Sequence, residues 1–236
     1  MGFNESKCTV LHIGHSNQGH TYTMNAVPLK PSSEEKDLCV IIDVDLNFQK
    51  HTTMAVNKAS RILGLIRKTF TNLDESTGPR LFTSLVCPHL EYGNVIWHPR
   101  SKRAETEIEK VQRRATKLIP KFKHLTYEER LQAINLPSLA YRRRQGDIIQ
   151  AFKIIKGIDR LNPDLFFQEH STVKTRGHQF KISKQFSKTS LRQNVFSQRI
   201  INDWNSLPEH VVLSETVNGF KSAIDRFWQS ERYRLH

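Results

Sequence analysis

From Thr52 onward the apolar residues of this chain recur at helical spacing, and this period limits the fold more than any other feature of the sequence. A first helical face consists of Ala55, Ala59, Ile62, Leu63, Ile66 and Phe70. A second helical segment begins at Asp74 and directs Leu81 and Leu85 inward. Pro88 then disturbs it, because proline has no backbone N–H to continue the helical hydrogen bonds.

The clearest helix comes third. Its apolar residues, at 4-3-4-3 spacing, are Ala104, Ile108, Val111, Ala115 and Leu118, and Pro120 stops it. Thr126 and Glu129 form a capping box for a short helix. A longer helix follows, ending near Gly157 and carrying Tyr141, Ile148, Ile149, Phe152 and Ile155. Residues 51–157 are therefore predicted to form an all-α bundle.

The first fifty residues have the pattern of strands instead. The segment 7–13 alternates between apolar and polar residues, residues 16–19 favour a turn, and residues 20–24 can return as the second arm of a β-hairpin. The apolar run 38–42 predicts a buried strand. The predicted fold is thus mainly α, with a β-hairpin and strand over residues 1–50.

The C-terminal part is predicted to contain a basic linker and then a helical tail. No acidic residue occurs between Ser171 and Asn202, whereas seven cations do: Lys174, Arg176, Lys181, Lys184, Lys188, Arg192 and Arg199. Two helical faces follow, formed by Phe196, Ile200 and Trp204 and by Val217, Phe220, Ile224 and Phe227. These patterns divide the region into a linker at 158–195 and a tail at 196–236.

The formal net charge of +13 favours a polyanionic partner. Nucleic acid is the first expectation, and an anionic membrane surface is the second. No apolar stretch has the length of a bilayer span, and the N-terminus does not resemble a secretory signal. Cys8, Cys39 and Cys87 are odd in number and widely spaced. We therefore expect an intracellular protein, cytoplasmic or nuclear, with no membrane partner.

Residues that could perform metal chemistry are sparse. Nucleotidyl transfer needs clustered carboxylates, and the nearest approach is Asp43 with Asp45, which is more typical of a turn. A zinc site could draw on Cys8, His12, His15 and His20, but their spacing matches no common zinc pattern, so strand and turn residues are favoured. The sequence predicts no catalytic residue, no metal site and no cofactor, and hence no enzyme.

Basic residues are the sequence feature that predicts a function for this chain. A stripe on the third helix, adjacent to its apolar face, consists of Arg103, Glu107, Lys110, Arg114, Lys117 and Lys121, and Arg113 and Lys123 extend it. Arg142, Arg143 and Arg144 form a second cluster, for which surface solvation is an equal alternative. The predicted nucleic-acid contacts are Arg103, Lys110, Arg113, Arg114, Lys117, Lys121, Lys123, Arg142, Arg143, Lys174, Arg176, Lys181 and Lys184.

The acid-free segment also contains Phe180 and Phe186 among its lysines. Exposed aromatic rings beside cations are suited to stacking on bases while the cations contact phosphate. The alternative is a flexible basic linker whose Phe side chains tuck into the bundle.

Seven runs carry a resemblance that covers almost the whole chain in order and nearly without gaps: FNESKCTVLHIG, SRILGLIRKTF, LVCPHLEYGNVIWHP, EKVQRRATKLIP, YEERLQAINLPSLAYRRRQGDIIQAFKIIKG, TRGHQFKISK and FSQRIINDWNSLP. They resemble the C-terminal part of endonuclease-reverse transcriptases of jockey-like LINE elements, which are non-LTR retrotransposons of animals. The resemblance implies that residues 1–50 are the end of the polymerase palm and that the later helices are the thumb and the tail behind it.

In that family, palm aspartates of a Tyr/Phe-Ala-Asp-Asp motif use Mg²⁺ to add nucleotides, and neither this motif nor the endonuclease domain occurs in the chain. The family usually has Gly where Cys39 stands and often has Gly where Asn25 stands. Asparagine tolerates a left-handed backbone, whereas Cys39 would be strained if its φ angle were positive.

The expected function is that of a non-catalytic fragment of an RNA-directed DNA polymerase. It would bind RNA or an RNA–DNA template-primer with little sequence preference, beside the palm and fingers domains of the parent enzyme. One alternative is a helical protein-interaction module in which the apolar stripe of the third helix pairs with a partner helix. A weaker one is an independent metal enzyme built on Cys8, His12, His15 and Asp43.

Overall fold

The protein is described here by a computed structural model, which covers residues 4–14, 16–168 and 177–233. Over these ranges it is mainly α-helical, with short strands between Thr9 and Asp43, which confirms the predicted fold class. The α-helices are α1 Gln49–Thr69, α2 Thr77–Leu81, α3 Cys87–Glu91, α4 Lys102–Lys117, α5 Tyr127–Ala133, α6 Leu139–Ile155, α7 Ser190–Asn194, α8 Phe196–Arg199, α9 Ile201–Ser206, α10 Glu209–Val212 and α11 Val217–Phe227. Within the described ranges, none of these helices combines the length and the apolar character needed to cross a membrane.

Among the described residues, six short strands pair in three separate two-stranded sheets: β1 Thr9–Leu11, β2 Thr23–Met24, β3 Val27–Pro28, β4 Lys30–Ser32, β5 Glu34–Asp37 and β6 Val40–Asp43. β1 pairs in parallel with β4, whereas β2 pairs with β3 and β5 with β6 in antiparallel hairpins. The predicted hairpin between residues 7–13 and 20–24 is therefore wrong. The chain reverses later, at Asn25 and Ala26, and the partner of β1 is a strand that follows this reversal.

Both hairpins have two-residue turns in which each central residue has a positive φ angle. In the first turn these residues are Asn25 (φ 49°) and Ala26 (φ 68°), and in the second they are Leu38 (φ 40°) and Cys39 (φ 68°). Asparagine adopts this backbone readily, but a side chain with a Cβ at position 39 strains it. The predicted strand 38–42 accordingly begins two residues later than expected, since Leu38 and Cys39 form the turn.

The first hydrophobic core lies among α1, α3, α4, α5 and β6. Its buried residues include Ala59, Leu63, Val86, Leu90, Trp97, Ile108, Val111 and Leu131. Between α2 and α3 the chain makes a π turn over Phe82–Val86, which keeps the helical segment running through Pro88. The wider turn rotates the buried face, so Phe82 and Val86 point inward while Leu85 is exposed. The prediction that Leu85 faces inward is wrong for this reason.

The second core packs one face of α6 against α8 to α11. Phe152 and Phe220 stack with ring centroids 4.0 Å apart, and Trp204 lies beside them. The described parts of the predicted linker join this core, because Phe167, His178 and Ile182 are buried. Many other residues of 158–168 and 177–195 are exposed, and the linker at 158–195 stays a prediction. Helix α6 is the element shared by the two cores.

Candidate nucleic-acid interface

Helix α4 separates an apolar face from a basic one. The side-chain oxygen of Ser101 accepts a hydrogen bond from the backbone N–H of Ala104 (3.1 Å) and fixes where the helix begins. Ala104, Ile108 and Val111 are buried, as the 4-3-4-3 spacing predicts. Glu109, Gln112 and Thr116 are buried as well. The cations of the helix are exposed, so they stand in solvent on a scaffold held by the core.

The basic side of α4 forms one wall of an open groove of about 630 Å³, which we call the basic groove. The second wall is the segment that connects α4 to α5 and the start of α5. The groove is lined by Glu107, Lys110, Arg113, Arg114, Lys117, Lys123, Leu125, Thr126, Tyr127 and Arg130. The structure therefore brings four predicted residues of α4 together with Lys123 from the opposite wall.

The floor of the groove is a buried polar network that ties α4 to α5 and α6. The Tyr127 hydroxyl donates to Glu109 Oε1 (2.5 Å), which also accepts the backbone N–H of Leu139 (3.2 Å). Burial, with the Glu109 carboxylate next to it, raises the pKa of Tyr127 well above its usual range. Arg130 donates to Thr116 Oγ1 (3.1 Å) from the α5 side. The floor is thus held rigidly, and its tyrosine stays protonated.

Electrostatically the groove is strongly positive. Lys110, Arg113, Arg114, Lys117 and Lys123 are all exposed, and the one acidic residue that lines the groove, Glu107, pairs with Lys110 at 2.6 Å. Secondary contacts fix two of the guanidinium groups. Arg114 Nη2 donates to Ser60 Oγ on α1 (2.8 Å), and Arg113 lies 4.9 Å from the centroid of the Tyr127 ring. The groove can therefore receive a row of phosphates with part of its cations already oriented.

Two predicted residues of the stripe do not line the groove. Arg103 is exposed in the first turn of α4, and Lys121 pairs with Glu75 at 2.5 Å beyond the helix C-terminus. The stripe is therefore longer than the groove, and its ends lie on open surface.

The cluster at residues 142–144 is structural. Arg142 forms a bidentate ion pair with Glu91, and Arg143 is 3% exposed. Arg144 pairs with Asp203 (2.7 and 2.8 Å) and with Glu231, above the Trp228 ring. The prediction that Arg142 and Arg143 contact phosphate is corrected, because Arg143 is buried and Glu91 of α3 already holds the guanidinium of Arg142.

The acid-free segment divides between burial and exposure. Lys174 and Arg176 lie outside the described residues, Lys181 is half-buried, and Lys184 is exposed with its Nζ 3.2 Å from Asn202 Oδ1. Phe180 packs on the second core, as the tucked alternative expected, whereas Phe186 is 88% exposed. Phe180 therefore fits the alternative of a ring tucked into the bundle, and Phe186 fits the alternative of an exposed ring suited to stacking.

The residues weighed for metal chemistry make local hydrogen bonds. The Asp43 carboxylate accepts the backbone N–H groups of Asp45, Asn47 and Phe48 (2.9–3.1 Å), which confirms its interpretation as a turn residue. His12 and His20 contact Asn17 and Gln18, respectively, and His15 lies outside the described residues. Across the ranges that the structure describes, no three His, Cys, Asp or Glu residues are grouped to hold a metal ion.

Sequence reasoning did not identify Leu125, Thr126, Tyr127 and Arg130 as parts of the site. Their position depends on how the α4–α5 connection folds back, which no periodicity records. The capping box at Thr126 was the available signal, because it places Tyr127 in the first turn of α5 and close to Glu109.

No protein-family model and no solved structure matches the chain. An uncharacterized protein of Caenorhabditis elegans is 28% identical to it over 141 residues, which cover 58% of this chain and 68% of the relative. This similarity indicates that the sequence has a relative in an animal, and it assigns no activity.

Proposed function

We propose that this chain is the thumb and adjoining C-terminal part of a non-LTR retrotransposon reverse transcriptase, and that it binds an RNA–DNA duplex without adding nucleotides. The observation that carries the proposal is the basic groove, where five exposed cations face one acidic residue that is already paired. The resemblance of the seven sequence runs supplies the identity of the parent enzyme.

The chemistry of the groove favours contact with the phosphate backbone. Its exposed donors are ammonium and guanidinium groups, which neutralise phosphates whatever the base sequence. Tyr127, the aromatic residue that lines the groove, is buried and donates its hydroxyl to Glu109, so its ring is not presented to bases. Binding should therefore tolerate any sequence and weaken steeply with salt.

Nucleotide addition does not belong to the proposal. Metal-dependent polymerisation needs a pair of carboxylates free to hold two cations. Asp43, the acid at the end of β6, uses both carboxylate oxygens to accept backbone N–H groups. The catalytic aspartates and their Mg²⁺ would reside in the palm of the complete enzyme.

The alternative of a partner helix on α4 has less support. The apolar stripe of that helix packs against α1 and α6 of the same chain, and Ile108 and Val111 have no exposed surface. A partner could therefore reach α4 only through its basic side, which favours a polyanion.

The proposal is tested by fluorescence anisotropy with a labelled RNA–DNA hybrid at 0.1 M salt. The variant Arg113→Gln/Lys117→Gln/Lys123→Gln removes three groove cations from both walls. We expect binding to weaken by up to roughly 500-fold, since each lost phosphate contact costs up to about 0.9 log unit at this salt concentration.

A matched control removes three exposed cations that lie outside the groove, Lys36, Lys221 and Arg226, each replaced by Gln. Both variants lower the net charge equally, so a difference between them isolates the groove from the overall charge. Equal losses of affinity in the two variants would refute a specific role for the groove, and no binding by the unmodified protein would refute the function itself.

A further inference from the structure

Phe186 has an exposed ring that lies outside the basic groove and has no role in duplex binding through that groove. Phe186 is 88% exposed, which makes it the most exposed large hydrophobic side chain in the described part of the chain. Exposing a phenylalanine ring to water is unfavourable, and here it occurs only four residues after Ile182, which is buried in the second core.

The segment around Phe186 is anchored to the second core at several points. The side-chain amide of Asn205 accepts a hydrogen bond from the backbone N–H of Ile182 (2.9 Å) and donates one to the backbone carbonyl of Ile182 (2.8 Å). Lys184 Nζ lies 3.2 Å from Asn202 Oδ1, and Arg192 Nη2 lies 3.2 Å from Gln185 Oε1. Phe186 is therefore presented to solvent by a braced loop.

Phe186 borders an open depression of about 690 Å³, lined by Lys184, Gln185, Phe186, Ser187, Gln193, Gln198 and Arg199. These residues include no acid. Of their two cations, Arg199 is paired with Asp147, whereas Lys184 is exposed, and the exposed cations Lys188 and Arg192 belong to the same segment. An aromatic face beside these exposed cations suits a ligand that has a flat apolar ring and an anionic backbone. An acidic protein surface would satisfy the cations but would give the ring no stacking partner.

Gln198 provides a second and independent sign of a ligand. It lines the depression and is 4% exposed, and within the described residues its side-chain Oε1 has no hydrogen-bond partner. A buried amide oxygen without a partner costs free energy unless something donates to it. The N–H groups on the edge of a nucleobase would do so, and rotation of the amide would let Gln198 match either a donor or an acceptor.

We propose that this depression, which we call the Phe186 site, binds an unpaired nucleotide, with the base stacked on Phe186 and its phosphates near Lys184 and Arg192. Within a duplex, base faces are covered by their neighbours, so the site selects single-stranded or overhanging nucleic acid. The proposal deepens the proposed function, because it adds a site for an unpaired strand to a groove that holds duplex phosphates.

The test compares three labelled probes: a blunt RNA–DNA hybrid, the same hybrid with a single-stranded overhang of about ten nucleotides, and that overhang with abasic sites. The full chain should bind the overhang probe more tightly than the other two. Phe186→Ala should reduce this additional affinity by about tenfold and leave blunt-hybrid binding unchanged, because alanine removes the stacking surface but no charge. Phe227→Ala, at a partly exposed phenylalanine of α11 outside the depression, is the control and should change neither.

Phe186→Trp keeps the stacking surface and adds a fluorescence signal, since Trp97, Trp204 and Trp228 are buried. Its additional emission should be quenched by the overhang probe but not by the abasic probe. Equal affinity of Phe186→Ala and the unmodified protein for the overhang probe would overturn the Phe186 site while leaving the groove intact. Loss of self-association on Phe186→Ala without loss of binding would assign this face to a second copy of the chain and would also overturn it.

The outcomes separate this site from the proposed function. Binding of the blunt hybrid that is lost in the groove variant supports the groove alone. Binding of the overhang probe that depends on Phe186, without any binding of the blunt hybrid, supports the Phe186 site and refutes the duplex function. Absence of binding to every probe refutes both.

Discussion

Arg199 joins the tail to the rest of the molecule, and replacing it should destabilise the protein severely. Its guanidinium pairs with Asp147 of α6 (2.8 and 2.9 Å) and donates to the carbonyls of Asn94, Val95 and Asn194 (3.0–3.1 Å). The two side chains are only 10% and 6% exposed. Removing one partner therefore leaves a carboxylate without its counter-charge inside the protein, which costs about 3–5 kcal/mol.

We predict that Arg199→Met lowers the urea midpoint by about 1–1.5 M with an unchanged slope, measured by far-UV circular dichroism. Arg199→Lys should lose less, because it keeps the charge but not the bidentate geometry. The double variant Arg199→Met/Asp147→Asn should recover part of the loss, because the carboxylate that Arg199→Met leaves without its partner is then removed as well.

The pH dependence of the Arg199→Met effect supplies a further check. Burial raises the pKa of Asp147, and removal of Arg199 raises it further. A carboxyl whose folded-state pKa lies above its unfolded value stabilises the fold at low pH and loses that contribution as pH rises. The deficit of Arg199→Met should therefore shrink as pH falls. A loss below about 1 kcal/mol at neutral pH, the typical level for a surface pair, would refute the reasoning.

Three further predictions concern the fold. Ile108→Ala should lower the free energy of unfolding by about 2–5 kcal/mol in urea denaturation, because Ile108 is fully buried beneath the basic stripe, and a smaller loss would contradict that packing. Burial, with Arg199 and Arg143 nearby, lowers the pKa of His98 to about 3, so protonation of His98 favours unfolding. This group alone should lower the stability by about 1.4 kcal/mol per pH unit from pH 6.5 downward. His98→Asn should flatten this slope, and an unchanged slope would contradict the assignment. Cys39→Gly should raise the free energy of unfolding by about 0.5–1 kcal/mol, and with it the urea midpoint, because glycine adopts the positive φ angle without strain. A lower midpoint would contradict the strained turn.

Local sequence signals predicted the helices well. The capping box of Thr126 and Glu129 is present with both of its hydrogen bonds, and Gly157 ends α6 with a φ angle of +68°. The apolar face of α4 is buried as its spacing requires. These features depend on residues within a few positions of one another, so the sequence contains all the information that they need.

Long-range pairing could not be predicted in the same way. The parallel contact of β1 with β4 joins Thr9 to Lys30, and no pattern in either strand specifies that partner. The run Arg142 to Arg144 looks like a surface cluster until Glu91, Asp203 and Glu231 are brought to it from distant positions.

The candidate site was predicted in part for a similar reason. The cations of α4 follow from helical spacing, whereas the groove exists because the α4–α5 connection returns alongside them. The floor of the groove depends on Glu109. Helical spacing places this charged residue near the apolar face of α4, and hydrogen bonds from Tyr127 and Leu139 hold it there. The exposure of Phe186 beside the buried Phe180 likewise follows from tertiary packing.

The salt dependence of hybrid binding tests the role of the basic groove most directly. If Lys110, Arg113, Arg114, Lys117 and Lys123 each neutralise one phosphate, the logarithm of the association constant should fall against the logarithm of salt concentration with a slope near about −4.5. Replacing Arg113, Lys117 and Lys123 by Gln should reduce the slope to about −1.8. The same slope in the unmodified protein and in this variant would show that phosphates are bound elsewhere on the molecule.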